Sequence, residues 1–90
     1  MRLVDLNPKF LDEHGGRTGA GVQFDCPCGC ESPCYISFDV ALDGQKSDGH
    51  VWRRVGDTFD TLTLTPSIQR LQPCPKQWHG FITNGEIVTV

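Results

Sequence analysis

The sequence has little positive charge. Eight lysine and arginine residues stand against eleven aspartate and glutamate residues, which gives a formal net charge of −3. The basic residues are scattered, and Arg53 and Arg54 are the only two that adjoin. Proteins that bind the phosphate backbone of nucleic acids usually present a basic face. The composition therefore argues against nucleic acid as the partner.

Long apolar runs are also absent from the sequence. No segment reaches the roughly 20 consecutive apolar residues that a transmembrane helix needs, and the opening segment MRLVDLNPKF lacks the apolar core of a signal peptide. We therefore expect a soluble, cytoplasmic protein that does not act at a membrane. In such a reducing compartment, clustered cysteines are more often metal ligands or catalytic groups than disulfide partners.

Material for a hydrophobic core is limited as well. Only 38% of the ninety residues are hydrophobic, and the chain contains ten glycines and six prolines. A chain of this length is expected to form one domain, residues 1–90, and to bury only about 60–65% of the surface that its unfolded form exposes. Because such small domains are marginally stable, an added cross-link or metal ion would help to stabilise it.

The sequence does contain a repeated alternation of apolar and polar residues, which predicts strands. It is clear in GVQFDC (21–26) and in CYISFDVAL (34–42), so the segment between them is expected to be the turn of a hairpin. GFITNGEIVTV (80–90) predicts a second hairpin, because Asn84-Gly85 tolerates the positive φ angles of a type I′ turn. We therefore expect a mainly β, small single domain of β-hairpins.

The segments between these hairpins predict shorter elements. A short strand is expected around Trp52, and another over residues 57–65, where the leucines face inward. Two short helical turns are also expected. One begins at Asn-Pro and stops at Gly-Gly over residues 7–16, and the other, TPSIQRL (65–71), has a threonine cap followed by proline.

The segment CPCGC, residues 26–30, places three of the five cysteines at alternate positions. Four roles are open: disulfide partners such as Cys26 with Cys34, redox or nucleophilic groups, buried apolar side chains, and metal ligands. An odd number of cysteines cannot pair completely within one chain, and the acidic neighbours Asp25 and Glu31 make the thiols poorer nucleophiles. Metal binding is favoured over the other roles, while Cys34 has the strand parity of a core residue and is interpreted as a buried apolar side chain.

A structural zinc ion is the metal that this pattern indicates. Structural zinc is commonly held in a tetrahedron by ligands from two separate turns of the chain, with cysteine and histidine as the usual donors. The second turn would be CPKQWH (74–79), which precedes the last hairpin and has a Cys-x4-His spacing. The candidate metal ligands are Cys26, Cys28, Cys30, Cys74 and His79.

A tetrahedral site that uses both ligands of the second turn needs only two thiols from the first. An extended strand would separate alternate residues by about 6.6 Å, which is too far for two thiolates on one zinc ion. The chain must therefore bend at Pro27 or Gly29. Cys26 with Cys28 is the preferred pair, and Cys26 with Cys30 is also feasible.

A catalytic role finds less support in the sequence. If three residues held a zinc ion with an open position, Glu31 or Asp25 could act as general base in a minimal zinc hydrolase or deaminase-like enzyme. The complete deaminase signature is not present. Ser67 is not flanked by the G-x-S-x-G pattern, so no nucleophile elbow is predicted. A zinc-ribbon-like nucleic-acid binder is the other alternative.

Four segments of the chain together resemble a known family. They are LVDLNPKF, FDCPCGC, TFDTLTLTPSI and QWHGFITNGEI. On these motifs the chain resembles a family of small uncharacterised phage and prophage proteins, over residues 1–11, 22–30, 57–69 and 74–87. The recurring polar positions of that family fall on Cys26, Cys28, Cys30, Cys74 and His79.

The resemblance implies a phage or prophage accessory protein in the cytoplasm of a bacterial host cell. We expect a zinc-stabilised, zinc-ribbon-like protein-interaction module rather than an enzyme, with a host or phage protein as partner and possible action on a host or defence factor. Some members of the family lie beside bacterial ubiquitin-like conjugation genes, which implies a protein-handling accessory. The chain departs from the family where the three residues 75–77 lengthen the gap between Cys74 and His79, which weakens the assignment of Cys74 as a ligand.

Overall fold

Antiparallel β-strands make up nearly all the regular structure in the computed structural model, which describes residues 1–13, 17–29, 32–47, 49–69 and 78–90. A short 3-10 helix at Leu3–Leu6 precedes the first strand. The prediction of a mainly β domain is therefore confirmed. Within the described residues the strands are β1 (Lys9–Glu13), β2 (Arg17–Asp25), β3 (Pro33–Ser37), β4 (Arg53–Val55), β5 (Thr63–Gln69), β6 (His79–Thr83) and β7 (Glu86–Thr89).

The described strands form two antiparallel sheets. One has the order β1-β2-β3 and the other the order β4-β5-β6-β7, so within each sheet every strand pairs with its neighbour in sequence. A parallel bridge between Phe38 and Trp52 joins the chain segments that follow β3 and precede β4. No helix among the described residues has the length and apolar character required to cross a membrane.

Both sheets contribute their inner faces to one hydrophobic core. Alternation places every second residue of a strand on the same face, so a short strand with two or three apolar residues can bury all of them. The 3-10 helix adds its two leucines. The core includes Leu3, Val22, Phe24, Ile36, Phe38, Leu62, Leu64, Ile68, Ile82 and Ile87.

The predicted hairpin around the cysteine cluster is confirmed. Strands β2 and β3 pair in the register Val22 with Ile36 and Phe24 with Cys34, and all four of these side chains are buried. The β3 strand ends at Ser37, earlier than the predicted 34–42 segment. The cysteine-rich turn is therefore attached directly to buried positions of the core.

The first predicted helical turn is wrong. Residues 9–13 form strand β1, and Asn7, with φ of 50°, ends the preceding 3-10 helix rather than starting a new one. Pairing with β2 sets Phe10 against the core, where its ring lies 4.3 Å from that of Phe59 and 6.2 Å from that of Phe38. Long-range strand pairing and aromatic packing outweigh a capping pattern that alone gives about 1 kcal/mol.

The second predicted helical turn is also wrong. Thr63–Gln69 is strand β5, which pairs with β4 on one side and β6 on the other. The predicted strand over 57–65 starts later than expected, since residues 57–61 lie in turns and bends. Leu62 and Leu64 are buried as predicted. Hydrogen bonding to two neighbouring strands fixes this segment as a strand despite its Thr-Pro helix-start pattern.

The last hairpin is confirmed in detail. Asn84 and Gly85 have φ angles of 47° and 73°, the positive values that a type I′ turn needs. The turn is anchored by hydrogen bonds from the Leu3 amide to the Gly85 carbonyl (2.7 Å) and from the Gly85 amide to the Leu62 carbonyl (2.9 Å). The hairpin thus joins the second sheet to the N-terminal helix.

This anchoring predicts an unequal response to two glycine substitutions. Gly85 has φ of +73°, and an added Cβ would lie 2.5 Å from the Phe59 carbonyl oxygen, whereas Gly44 has φ of +88° with no described atom within 4 Å. Gly85→Ala should lower the free energy of unfolding by about 1–3 kcal/mol more than Gly44→Ala, because it adds a backbone clash to the shared φ strain. Urea denaturation of both variants measures the difference, and equal losses would contradict this packing.

Candidate functional site

The cysteine-rich segment begins with a tight turn. The Gly29 amide donates a hydrogen bond to the Cys26 carbonyl oxygen (3.0 Å), which closes a four-residue turn with Pro27 at its second position. Proline suits that position because its φ is fixed near the required value, and Gly29 itself has φ of 80°. The chain therefore bends at Pro27, one of the two positions, Pro27 or Gly29, where a bend was predicted.

The turn brings two thiols together. The Sγ atoms of Cys26 and Cys28 are 3.2 Å apart, although the residues would be well separated in an extended strand. Cys26 is buried and Cys28 half-buried, both in contact with the core. Cys34 is also buried, as predicted, in register with Phe24 of β2. Cys26 and Cys28, the pair preferred for the metal site, thus lie close together in the described part of the chain.

The complete metal site stays a prediction. Of the five candidate ligands, Cys30 and Cys74 lie outside the described residues, as does Glu31. Within residues 1–13, 17–29, 32–47, 49–69 and 78–90, no group of three or more histidine, cysteine or acidic residues is placed to hold a metal ion. The fifth candidate, His79, lies within the described residues, and its ring contacts a serine.

His79 is hydrogen-bonded to a serine of the adjacent strand. Its Nε2 lies 3.0 Å from Oγ of Ser67. His79 is the first residue of β6, and Ser67 is the fifth of the seven residues of β5. Both side chains are half-buried. They lie on the outer face of the four-stranded sheet, because the alternate residues Ile68 and Gly80 are buried.

A bulge in β5 sets which part of β6 lies beside Ser67. Between the pairs Leu64–Ile82 and Ile68–Gly80, strand β5 has three residues and β6 has one. Such bulges bend a strand and re-aim its side chains, and they are common beside active sites. The extra residues of β5 are part of the Thr65-Pro66-Ser67 segment. The bulge and the regular pairing after it set the Ser67–His79 contact.

The histidine backbone is held by its neighbours. Trp78 is buried, and its indole Nε1 donates a hydrogen bond to Thr89 Oγ1 (3.1 Å). The indole packs over Gly80, where an added Cβ would lie 2.6 Å from the ring. The His79 carbonyl accepts a hydrogen bond from the Val90 amide (2.9 Å). These contacts fix the start of β6 on both sides of His79.

The serine backbone has its own support. The Trp52 indole Nε1 donates a hydrogen bond to the Ser67 carbonyl oxygen at 3.3 Å. The ring of His50 packs edge-on against Trp52, with centroids 4.8 Å apart. The hydrogen bond from Trp52 ties β5 to the segment that leads into β4. Ser67 and His79 are therefore each positioned by a tryptophan from a different part of the chain.

The Ser67–His79 arrangement can perform nucleophilic catalysis. A serine hydroxyl is a weak nucleophile until a base accepts its proton, and the base must lie within about 2.6–3.2 Å. The observed contact satisfies that requirement. When Nε2 carries no proton, it accepts the Ser67 hydroxyl proton and leaves Oγ able to attack a carbonyl carbon.

Sequence reasoning missed this pair. Ser67 was set aside because it lacks a G-x-S-x-G context, and His79 was assigned only to a metal. A usable signal existed, since the serine and the histidine each lie in a segment, TLTPSI or WHGFI, with strand-like apolar residues. The juxtaposition itself depends on the register of β5 and β6 and could not be read from spacing.

A family model described as "Bacterial ubiquitination-like system serine protease (BubE)" matches residues 4–90. No curated protein matches the chain, and no solved structure matches it. The family's description agrees with the implied link to bacterial ubiquitin-like conjugation.

The family match corrects the functional expectation. It overturns the interpretation of the chain as a phage or prophage accessory module that acts only by binding, because the matching family is one of bacterial serine proteases. It also does not favour the alternatives of a zinc-dependent hydrolase or deaminase and of a nucleic-acid binder. The error has a physical reason: the serine–histidine contact depends on the register of two strands, whereas clustered cysteines are apparent in the local sequence.

The hydrogen bond predicts an energetic coupling that can be measured without any assay of activity. In a double-mutant cycle, Ser67→Ala and His79→Ala should show a coupling of about 0.5–1.5 kcal/mol in the free energy of unfolding, the usual range for one hydrogen bond. Ser67→Ala with Thr83→Ala is the control, because Thr83 lies on the same face of β6 but four residues farther along. That control pair should be additive to within about 0.5 kcal/mol. Additivity in both cycles would contradict the contact.

Proposed function

The chain belongs to the BubE family, the serine proteases of bacterial ubiquitination-like systems, and on that basis we propose that it hydrolyses amide bonds in polypeptides. Ser67 is the nucleophile and His79 is the general base. The observation that carries the assignment is the 3.0 Å contact between Ser67 Oγ and His79 Nε2. Family membership supplies the reaction class, and this contact supplies the residues.

Acylation begins when a substrate carbonyl carbon approaches Ser67 Oγ. As the new C–O bond forms, the hydroxyl proton passes to His79 Nε2, and the carbonyl oxygen becomes the oxyanion of a tetrahedral intermediate. When that intermediate collapses, the C–N bond breaks and His79 returns the proton to the departing amine. The products of this half-reaction are a free amine and an ester between the substrate and Ser67.

Deacylation repeats the sequence with water. His79 Nε2 takes a proton from a water molecule, whose oxygen attacks the ester carbonyl carbon. Collapse of the second tetrahedral intermediate breaks the bond to Oγ, and the proton returns to Ser67. The substrate leaves with a new carboxyl group, and the enzyme is restored. The same steps apply to a peptide bond and to an isopeptide bond to a lysine side chain, since both are amides.

The surroundings of the pair support this role. Both side chains are half-buried on the outer face of a sheet, so a polypeptide can reach them while the sheet restrains them. The Ser67 carbonyl accepts a hydrogen bond from the Trp52 indole, and the His79 carbonyl accepts one from the Val90 amide. Rigid support of reacting groups matters because effective catalysis needs them close to the productive geometry. We propose a protein of the bacterial ubiquitination-like system as substrate and the bacterial cytoplasm as location.

Substitution of each member of the pair tests the proposal. The substrate is a ubiquitin-like protein from the same bacterium joined through its C-terminus to a reporter, either directly or through a lysine side chain. Ser67→Ala and His79→Ala should each lower kcat/KM by about a thousandfold or more, because the two groups act as one unit. Ser37→Ala, a half-buried serine of the other sheet, is the control and should retain full activity. Cleavage by Ser67→Ala at the wild-type rate would contradict the assignment.

We also propose that one structural zinc ion stabilises this fold. The donor chemistry at the cysteine turn suits it, because the thiols of Cys26 and Cys28 already converge to 3.2 Å and zinc favours thiolate ligands. Since Nε2 of His79 is engaged with Ser67, the sequence candidates Cys30 and Cys74 are the preferred remaining ligands. The β2–β3 hairpin with its cysteine turn would then be the zinc-ribbon-like element.

The proposed ion has an energetic reason. Structural zinc supplies on the order of 10–16 kcal/mol of apparent binding free energy to small domains, and this becomes folding free energy. That is comparable to or larger than the whole stability of an ordinary domain, about 5–15 kcal/mol. A chain with 38% hydrophobic residues gains more from such a contribution than a larger domain would.

Removal of single thiols tests the zinc proposal. Cys26→Ser and Cys28→Ser should each reduce the bound zinc from one equivalent to a small fraction and lower the melting temperature, because a tetrahedral site loses one of its ligands. Cys34→Ala is the matched control, since Cys34 is a buried cysteine on the neighbouring strand, and it should keep its zinc. Elemental analysis after gel filtration measures the zinc bound per protein chain. Wild-type protein without zinc, or zinc retained in both serine variants, would rule the site out.

A further inference from the structure

We propose that Phe81 and Val88 form a subsite that binds an apolar side chain of the polypeptide substrate. This inference rests on the proposed function, because it takes Ser67 and His79 as the reacting pair. It goes further by assigning part of the sheet surface to substrate recognition. Recognition of one apolar residue near the scissile bond would then contribute to the choice of substrate.

The first observation is where Phe81 lies relative to the base. Phe81 is two residues after His79 on strand β6, and the alternate residues Gly80 and Ile82 are buried. The side chains of His79 and Phe81 therefore occupy the same outer face, about 6.6–6.8 Å apart along the strand. An aromatic ring thus lies beside the catalytic pair on the surface from which a substrate must approach.

The second observation is that Phe81 has an apolar neighbour on the adjacent strand. Val88 of β7 is its direct partner in the antiparallel register. Phe81 is 41% exposed and Val88 49% exposed, whereas the residue next to each of them, Ile82 and Ile87, is buried. Directly opposite side chains lie within contact distance in such a pair. The two form an apolar patch continuous with the catalytic pair.

Polar residues limit this patch on the same face. Thr83 lies beyond Phe81 on β6, and Glu86 lies beyond Val88 on β7, with both side chains exposed. The carboxylate of Glu86 would repel an acidic side chain placed next to it, although its neighbour Arg2 at 3.7 Å partly offsets that charge. The patch therefore favours an apolar substrate residue over an acidic one.

The spacing suits an extended polypeptide. An extended chain advances about 3.3 Å per residue, so the distance between His79 and Phe81 corresponds to about two residues. A substrate with its scissile carbonyl at Ser67 Oγ and its chain running over β6 and β7 would place a side chain two or three residues away on Phe81 and Val88. The occupant that this geometry fits is an apolar side chain of the substrate.

A positional set of fluorogenic peptides tests the subsite. Leu, Ala or Asp is placed in turn at each of the three positions on either side of the cleaved bond, and kcat/KM is measured. Wild-type enzyme should prefer Leu to Asp by about tenfold or more at a position two or three residues from that bond. Phe81→Thr should remove most of that preference. Tyr35→Thr is the control, because Tyr35 is an aromatic strand residue of the other sheet with 47% exposure, and it should keep the preference.

A small fluorophosphonate probe separates failure of the subsite from failure of the proposed function. The probe lacks a peptide chain, so it should label Ser67 equally in wild type, Phe81→Thr and Tyr35→Thr. Labelling in all three with the same Leu preference in Phe81→Thr would overturn the subsite alone. A wild-type protein that is not labelled would overturn the proposed function instead.

A second copy of the chain is the competing occupant of this surface. Gel filtration of wild type and Phe81→Thr measures it with the same samples. A dimer in wild type that becomes a monomer in Phe81→Thr, together with unchanged peptide selectivity, would assign the patch to contact between two copies and overturn the subsite. Loss of selectivity without change in oligomeric state is the outcome that we expect.

Discussion

Burial of two small sheets against one shared core is the constraint on which the rest of the structure depends. Because side chains alternate along a strand, each residue that a strand buries fixes its neighbours on the outside. In the second sheet, burial of Ile68 and Ile82 leaves Ser67 and His79 on the outer face. The core therefore determines not only that the domain folds but also which polar side chains can meet at its surface.

The Ser67–His79 contact depends on local features in addition to that constraint. A bulge in β5 changes the register and so sets which β6 residue Ser67 faces. Half-buried Trp52 donates a hydrogen bond of 3.3 Å to the Ser67 carbonyl oxygen, and buried Trp78, next to His79, donates one of 3.1 Å to Thr89 Oγ1 of β7. A small domain has few layers with which to support a reactive pair. Here two tryptophans provide that support, one next to His79 and one fifteen positions before Ser67.

The sequence predicts the parts of this fold that local chemistry controls. The Asn84-Gly85 turn, the hairpin around the cysteines and the inward leucines at 62 and 64 all follow from φ preferences and alternation. The two predicted helical turns are strands instead, because strand pairing and packing depend on residues distant in sequence, such as Val22 and Phe59 for Phe10. The Ser67–His79 contact was hidden for the same reason: twelve residues separate the two, and only strand register joins them. Metal chemistry was the more visible signal, since cysteines at alternate positions need no tertiary information.

Chemical mapping of the reactive residue decides whether this contact is an active site. Purified protein is treated with a fluorophosphonate at neutral pH and digested, and the modified residue is identified by mass spectrometry. A serine activated by a neighbouring base reacts far faster than an ordinary surface hydroxyl. The account predicts one modified residue, Ser67, and loss of that modification when His79 is replaced by alanine. Modification at another residue, or equal modification of Ser67 without His79, would contradict it.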